Sequence, residues 1–127
     1  MDDLIRIGRI STVNYKEGTA KVVYKDRDDM VTGDFPLLAN EYLMPKVDDM
    51  VLVLHTKRNK ASGVIVGPVW NDDNRPGLTG KNKYLKEMTD KSSIKAEEGT
   101  MEIKAENIKF ICDSGSITLA QIIGHIL

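Results

Sequence analysis

Gly63 to Gly77 reads GVIVGPVWNDDNRPG, a β-branched apolar run that breaks off at Trp70 into a turn of Asn, Asp and Pro. Val64, Ile65, Val66, Val69 and Trp70 favour a strand, and Gly67-Pro68 in their midst predicts a bend or an edge position there. The stretch is expected to be the last strand of a small barrel. Residues upstream of it read as barrel, and residues downstream read differently.

Upstream, Leu4 to Val13 is strand-like, with Ile5 and Ile7 in one phase, Ile10 in the other and Gly8 between them. A glycine bulge at that point would let one strand serve two faces of a curved sheet. Asn14 to Gly18 is a turn, and Thr19 to Lys25 returns as a strand with Ala20, Val22 and Tyr24 on one side, which predicts a hairpin. The charged tip Asp26-Arg27-Asp28-Asp29 reads as a solvated turn, since it lacks the spacing and the glutamate of a calcium loop. Val31 to Phe35 alternates as a third strand closed by Pro36. Leu37 to Lys46 holds Leu37, Leu38, Tyr42 and Leu43, too apolar for a free loop, and is expected to plug the barrel with a helical turn before Pro45. Met50 to Thr56 is a fourth strand, joined to the fifth at Gly63 by the basic tip Lys57-Arg58-Asn59-Lys60. Three strands, a plugging connection and two more strands match a five-stranded OB barrel over residues 1–78, and the count alone also fits an SH3-like barrel.

Residues 79–92 are polar and without a period, and read as a linker. From residue 93 the chain alternates again in very short strands. The apolar positions are Ile94 and Ala96, then Met101, Ile103 and Ala105, then Ile108, Phe110 and Cys112, then Ile117 and Leu119. IKAEE at Ile94 recurs as IKAEN at Ile103, nine residues on. About 30 residues of short strands make an open array that is marginal in water unless its apolar face is covered. Other copies of the same chain are the expected cover, with the intervening lysines and glutamates facing water. The fold class is therefore all-β, a barrel followed by a self-associating β segment over 93–127. The final LAQIIGHIL is too apolar to hang free. Leu119, Ile122, Ile123 and Ile126 share a helical face, whereas Ile117, Leu119, Ile123 and Leu127 fit a strand nearly as well, and the lean is towards a helical turn. Ile122, Ile123, Ile126 and Leu127 are the expected tip or docking residues.

Composition narrows function by exclusion. Hydrophobic and charged contents of 41% and 29% are those of a globular protein, and a formal net charge of -1 gives no electrostatic reason to expect nucleic acid. The single cysteine, Cys112, excludes an intrachain disulfide, and its phase with Phe110 predicts a buried, inert thiol. The Met1-Asp2-Asp3 start is unlike a signal peptide, so synthesis in a reducing cytoplasm is expected. No catalytic constellation is legible: His55 and His125 belong to no ligand pair, Ser114 lies in no nucleophile elbow, the glycines form no phosphate loop, and Asp72-Asp73 read as turn formers. Catalytic residues, metal ligands and cofactors are all expected to be none. An OB barrel raises oligonucleotide binding as the alternative function, but Tyr24 and Phe35 stand among Asp26, Asp28, Asp29 and Asp34 and are expected to pack in the core.

Three stretches carry a family resemblance: IRIGRISTV with its following turn and KVVY strand, then VDDMVLVLH, and above all GVIVGPVWNDDNRPG ahead of a short repetitive β tail. They resemble the baseplate assembly protein V, or tail spike, family of contractile bacteriophage tails, which is related to the spike of type VI secretion systems. The resemblance covers about the first 78 residues, and the tail agrees in style only. It implies a homotrimer assembled into the baseplate of a phage tail or phage-like particle, with three OB barrels as a collar and three C-terminal segments wound into a triangular β-helix. The implied partners are the baseplate hub and tail tube proteins, a separate tip protein, and transiently the target cell envelope, with no nucleic acid. The His-x-His pair that holds iron at the tip of some members has no counterpart in Gly124-His125-Ile126-Leu127. The lysozyme-like domains fused in some relatives are missing as well.

Overall fold

The computed structural model describes residues 3–126, which fall into two units, Met1–Pro76 and Gly77–Leu127. The chain is mostly β, with one short helix among the described residues. In the first unit β1 (Ile5–Asn14) pairs antiparallel with β2 (Thr19–Tyr24) on one side and with β5 (Met50–His55) on the other. β3 (Met30–Val31) and β4 (Phe35–Pro36) both pair with β2, and β6 (Gly63–Pro68) pairs with β5, giving the order β3-β2-β1-β5-β6. A parallel bridge from Leu37 to Ile65 ties the chain after β4 to β6, so the sheet curls round its own inner face.

That face holds Ile10, Ala20, Val22, Tyr24, Phe35, Val51, Val53 and Ile65, all buried. Ala20, Val22 and Tyr24 come from alternate positions of β2 and Val51 and Val53 from alternate positions of β5, as period-2 patterning requires, while Ile10, Phe35 and Ile65 come from β1, β4 and β6. Ile5 and Ile7 fall on one face of β1 and Ile10 on the other, as expected, but without the expected bulge at Gly8. Arg6, Gly8 and Ile10 point inward while Ile5 and Ile7 point out, and the register shift falls between Ile10 and Thr12 rather than at Gly8. Tyr24 explains both residues. A Cβ on Gly8 would lie 2.7 Å from the Tyr24 ring and 2.5 Å from Val22 Cγ1, so only glycine lets the ring cross β1 there. The Arg6 guanidinium lies 4.7 Å from the centre of the same ring and pairs with Asp26 at 2.8 Å and Asp3 at 2.9 Å, which makes its burial tolerable.

Two further expectations for this unit need correction. Val31 to Phe35 is two short ladders rather than one strand, because Thr32 turns its hydroxyl inward to accept the Val22 amide at 3.0 Å and donate to the Gly33 carbonyl at 2.8 Å. Residues 37–46 contain no helical turn, and Leu38, Tyr42 and Leu43 are exposed; Leu37 packs against the core and Pro45 is buried. The turn after β6 is as expected: Asn71 and Asn74 bridge, the Asn71 side chain caps the Asp73 amide at 2.9 Å, and Asp72 meets Arg75 at 3.1 Å.

At one end of the core the Asn59 carbonyl accepts from His55 Nδ1 at 3.0 Å, which leaves Nε2 to accept the Tyr24 hydroxyl at 2.6 Å. Burial pushes the Tyr24 phenol up to about 12, with Arg6 opposing the shift and Asp26 adding to it. A phenol whose folded value lies above its unfolded value of 10.0 stabilises fully below pH 10, and that contribution, about 3 kcal/mol, is lost as the pH rises towards 12. In an ultraviolet titration one of the four tyrosines should therefore ionise last, together with unfolding. Four tyrosines ionising together near pH 10 with the circular dichroism unchanged would contradict this packing.

Candidate assembly interface

The second unit is an antiparallel meander, a separate hairpin and a helix. Residues 79–92, expected as a linker, contain a strand, β7 (Tyr84–Thr89), which pairs with β8 (Ser92–Glu97), and β8 pairs with β9 (Thr100–Lys104). Between β8 and β9 the backbone turns at Glu98 and Gly99, both with positive φ (50° and 77°), the conformation that a two-residue hairpin favours. β10 (Lys109–Cys112) and β11 (Gly115–Thr118) form the hairpin, and α1 (Leu119–Ile126) comes directly after it.

Register gives the meander one mainly apolar face and one mainly ionic face, with Lys86 across from Ile94 on the first and Leu85 across from Lys95 on the second. Ile94 stands opposite Ile103 and Ala96 opposite Met101, with Tyr84 across from Ala96 on the other side, so these side chains share one face. The opposite face is ionic: Lys95 lies directly across from Glu102 and bonds it at 3.1 Å, and Glu97 takes Lys83 at 2.7 Å and Lys95 at 3.5 Å. The hydrogen bond from Lys83 holds the Glu97 carboxyl below its usual range, and the bond to Glu102 holds Lys95 above its own. In the hairpin Phe110 pairs with Ile117 and Cys112 with Gly115, which puts Phe110, Cys112 and Ile117 on one face.

Among the described residues of this unit none is buried. Met101 is 66% exposed, Ile103 60%, Tyr84 56% and Phe110 54%. A sheet with one face of ion pairs and one mainly apolar, partly exposed face has the pattern of a half-buried sheet.

The expected interface residues are thus grouped in part. Ile94, Ala96, Met101 and Ile103 share the meander face, and Phe110, Cys112 and Ile117 share the hairpin face. Ala105 lies exposed beyond β9, and Ile108 lies outside the strands, where its carbonyl accepts the Leu119 amide at 2.8 Å. Leu119 opens the helix. Ile122 is partly exposed, Ile123 and Ile126 are exposed, and Leu127 lies outside the described residues. Within this chain Cys112 is exposed rather than buried, and the Ser114 hydroxyl, 3.2 Å from its sulfur, pulls the thiol below its usual value. Sequence reasoning missed Tyr84, because Lys86 follows it on the same face and breaks the apolar alternation.

The helix has a legible cause as well. Thr118 Oγ1 accepts the Gln121 amide at 3.2 Å while Gln121 Oε1 accepts the Thr118 amide at 2.8 Å, a reciprocal cap that commits residues 119–126 to the helix. Leu119, Ile122, Ile123 and Ile126 then fall within about 100° of arc, and 119–126 contains no Asp, Glu, Lys or Arg.

No protein-family model matches this sequence, and comparison with curated proteins finds no match. Among the described residues no group of three His, Cys, Asp or Glu side chains could hold a metal ion, and no helix is long and apolar enough to cross a membrane.

Proposed function

We propose that this protein is a non-enzymatic structural component, the trimeric central spike of a contractile injection machine, which centres a baseplate and meets the target envelope. The observation that carries the reading is the second unit's mainly apolar, partly exposed face, backed by a face of ion pairs, with none of that unit's described residues buried. Three such units can cover one another by turning Ile94, Ala96, Met101, Ile103, Phe110 and Ile117 inward, and a chain so interwound resists axial load because no strand peels away singly. Support also comes from the first unit. Its first strand pairs with the second and the fourth of five barrel strands, and the third runs parallel to the fifth at Leu37 and Ile65. That order is compatible with an OB barrel. The family resemblance of the GVIVGPVWNDDNRPG stretch points the same way. The oligonucleotide-binding alternative loses its best platforms, because Tyr24 and Phe35 are buried.

Cys112 reports directly on the cover. In a lone chain its exposed, acidified thiol should react quickly with a maleimide. In the assembled protein it should be at least tenfold slower, recovering full speed in denaturant. Equal rates before and after denaturation would leave this face uncovered and remove the reading's main support.

A further inference from the structure

The hydrogen bonds around His55 have room for only one protonation state of its ring. His55 is 4% exposed and Tyr24 is fully buried. The Asn59 carbonyl can only accept, so one proton sits on Nδ1 and the bare Nε2 takes the Tyr24 hydroxyl at 2.6 Å. A second ring proton would set a donor against a donor. The phenol oxygen could turn to accept it, but its own proton would then be stranded, because among the described residues the hydroxyl has no other hydrogen-bond partner. The surrounding charges oppose that proton too. β1 brings the Arg6 guanidinium, which lies over the Tyr24 ring, and the β5–β6 tip brings Lys57, Arg58 and Lys60, while β4 and β6 present the uncharged Phe35 and Gly63. The carboxylates of Asp3 and Asp26 are taken by Arg6, and among the described residues none pairs with the ring.

The two bonds of the ring also differ in what they join. Asn59 is four residues on, in the hairpin tip that His55 itself begins, and a charged ring keeps that bond because Nδ1 keeps its proton. The tip's other bonds are equally local: the Thr56 amide donates to the Ser62 carbonyl at 3.2 Å and the Ala61 amide to Asn59 Oδ1 at 2.9 Å. Tyr24 lies across the barrel interior on β2. The tip's backbone tie in the same direction is the Gly33 amide, which donates to the Lys60 carbonyl at 2.9 Å.

We propose that His55 is an acid-sensitive latch: when its ring takes a second proton it leaves Tyr24, and residues 56–62 swing out as one piece with their internal bonds intact. The pivot is the end of β5, where the His55 amide is held by the Leu4 carbonyl at 2.6 Å. Opening breaks the Gly33–Lys60 bond and lets water in over Tyr24 and Phe35. The open form carries its ring in water and binds the proton for which the closed form has no place, so falling pH shifts the balance towards opening. The latch lies wholly in the first unit and rests on no reading of what the protein assembles into.

Amide exchange of the full-length protein, followed by NMR at about pH 7.5 and about pH 5 and expressed as protection factors, tests the latch. The Gly33 amide should lose protection roughly tenfold or more at the lower pH, while the Thr56 amide inside the tip and the Ile10 amide, bonded to the Asp49 carbonyl at 2.9 Å, keep theirs. In His55→Gln the side-chain amide can still accept from Tyr24 and donate to Asn59 but takes no proton, so Gly33 should be equally protected at both pH values. Equal protection of Gly33 at both pH values in the unaltered protein would overturn the proposal. So would the same loss in His55→Gln, which would put the response on other groups, and so would a joint loss at Gly33, Thr56 and Ile10, which is acid unfolding of the whole unit. Should the glutamine variant fail to fold, the ring nitrogen shifts of His55 in the unaltered protein decide: they must become those of an imidazolium over the interval in which Gly33 loses protection. A ring still neutral with Gly33 already exchanging freely would overturn the latch.

Discussion

Met101→Asp combined with Ile103→Asp will dissociate the assembled protein while the first unit stays folded. In a single chain both side chains are more than half exposed, so the exchange alone should cost little beyond a strand-propensity effect of up to about 1 kcal/mol. Covered by neighbouring copies, each would contribute roughly 1.5–3 kcal/mol, and the aspartates would add unpaired carboxylates to an apolar interior. Symmetry repeats the loss in every copy. Sedimentation velocity should show the slow boundary of single chains, with the thermal transition of the first unit unmoved. Lys95→Ala, on the ionic face of the same sheet, should leave the assembly intact. A double variant that sediments like the parent would mean that the apolar face is not where copies meet.

Phe35→Ala should have the largest effect on the first unit. The ring is 2% exposed, meets His55 edge-on at 5.4 Å between centroids, and lies so near Gly63 that a Cβ there would come within 2.6 Å of it. Its removal opens a cavity beside the Tyr24–His55 hydrogen bond, and aromatic-to-alanine changes of this kind cost about 3–5 kcal/mol. For a unit of this size such a loss is a large part of the total stability. Urea unfolding followed by circular dichroism should show the midpoint of the first unit falling steeply. An unchanged midpoint would contradict the placement of Phe35 at the centre of the core.

Where side chains simply alternate, the sequence was a good guide. Ala20, Val22 and Tyr24 share the inner face of β2, and the nine-residue spacing of the IKAE repeat reappears as the pairing of Ile94 with Ile103. Reading failed where one residue's partner decided its direction. Arg6 goes inward because the Tyr24 ring and two aspartates receive it, and none of these is adjacent to it in sequence. Its burial forces Ile5 and Ile7 outward against their hydrophobicity. β7 was hidden because Lys86 and Glu87 interrupt its apolar positions, and the loop at 37–46 misled because Leu38, Tyr42 and Leu43 lie outside while Leu37 and Pro45 go inward. The helix agrees with the lean towards a helical turn, and Thr118 followed by Gln121 is the sequence signature of the reciprocal cap that holds it. The apolar face of the second unit was legible as a pattern of alternation.

The molar mass of the full chain in dilute solution, measured by light scattering behind a sizing column, tests the assembly most directly. The account predicts three times the 14.2 kDa chain mass, unchanged on tenfold dilution. A monomer at that concentration would contradict it.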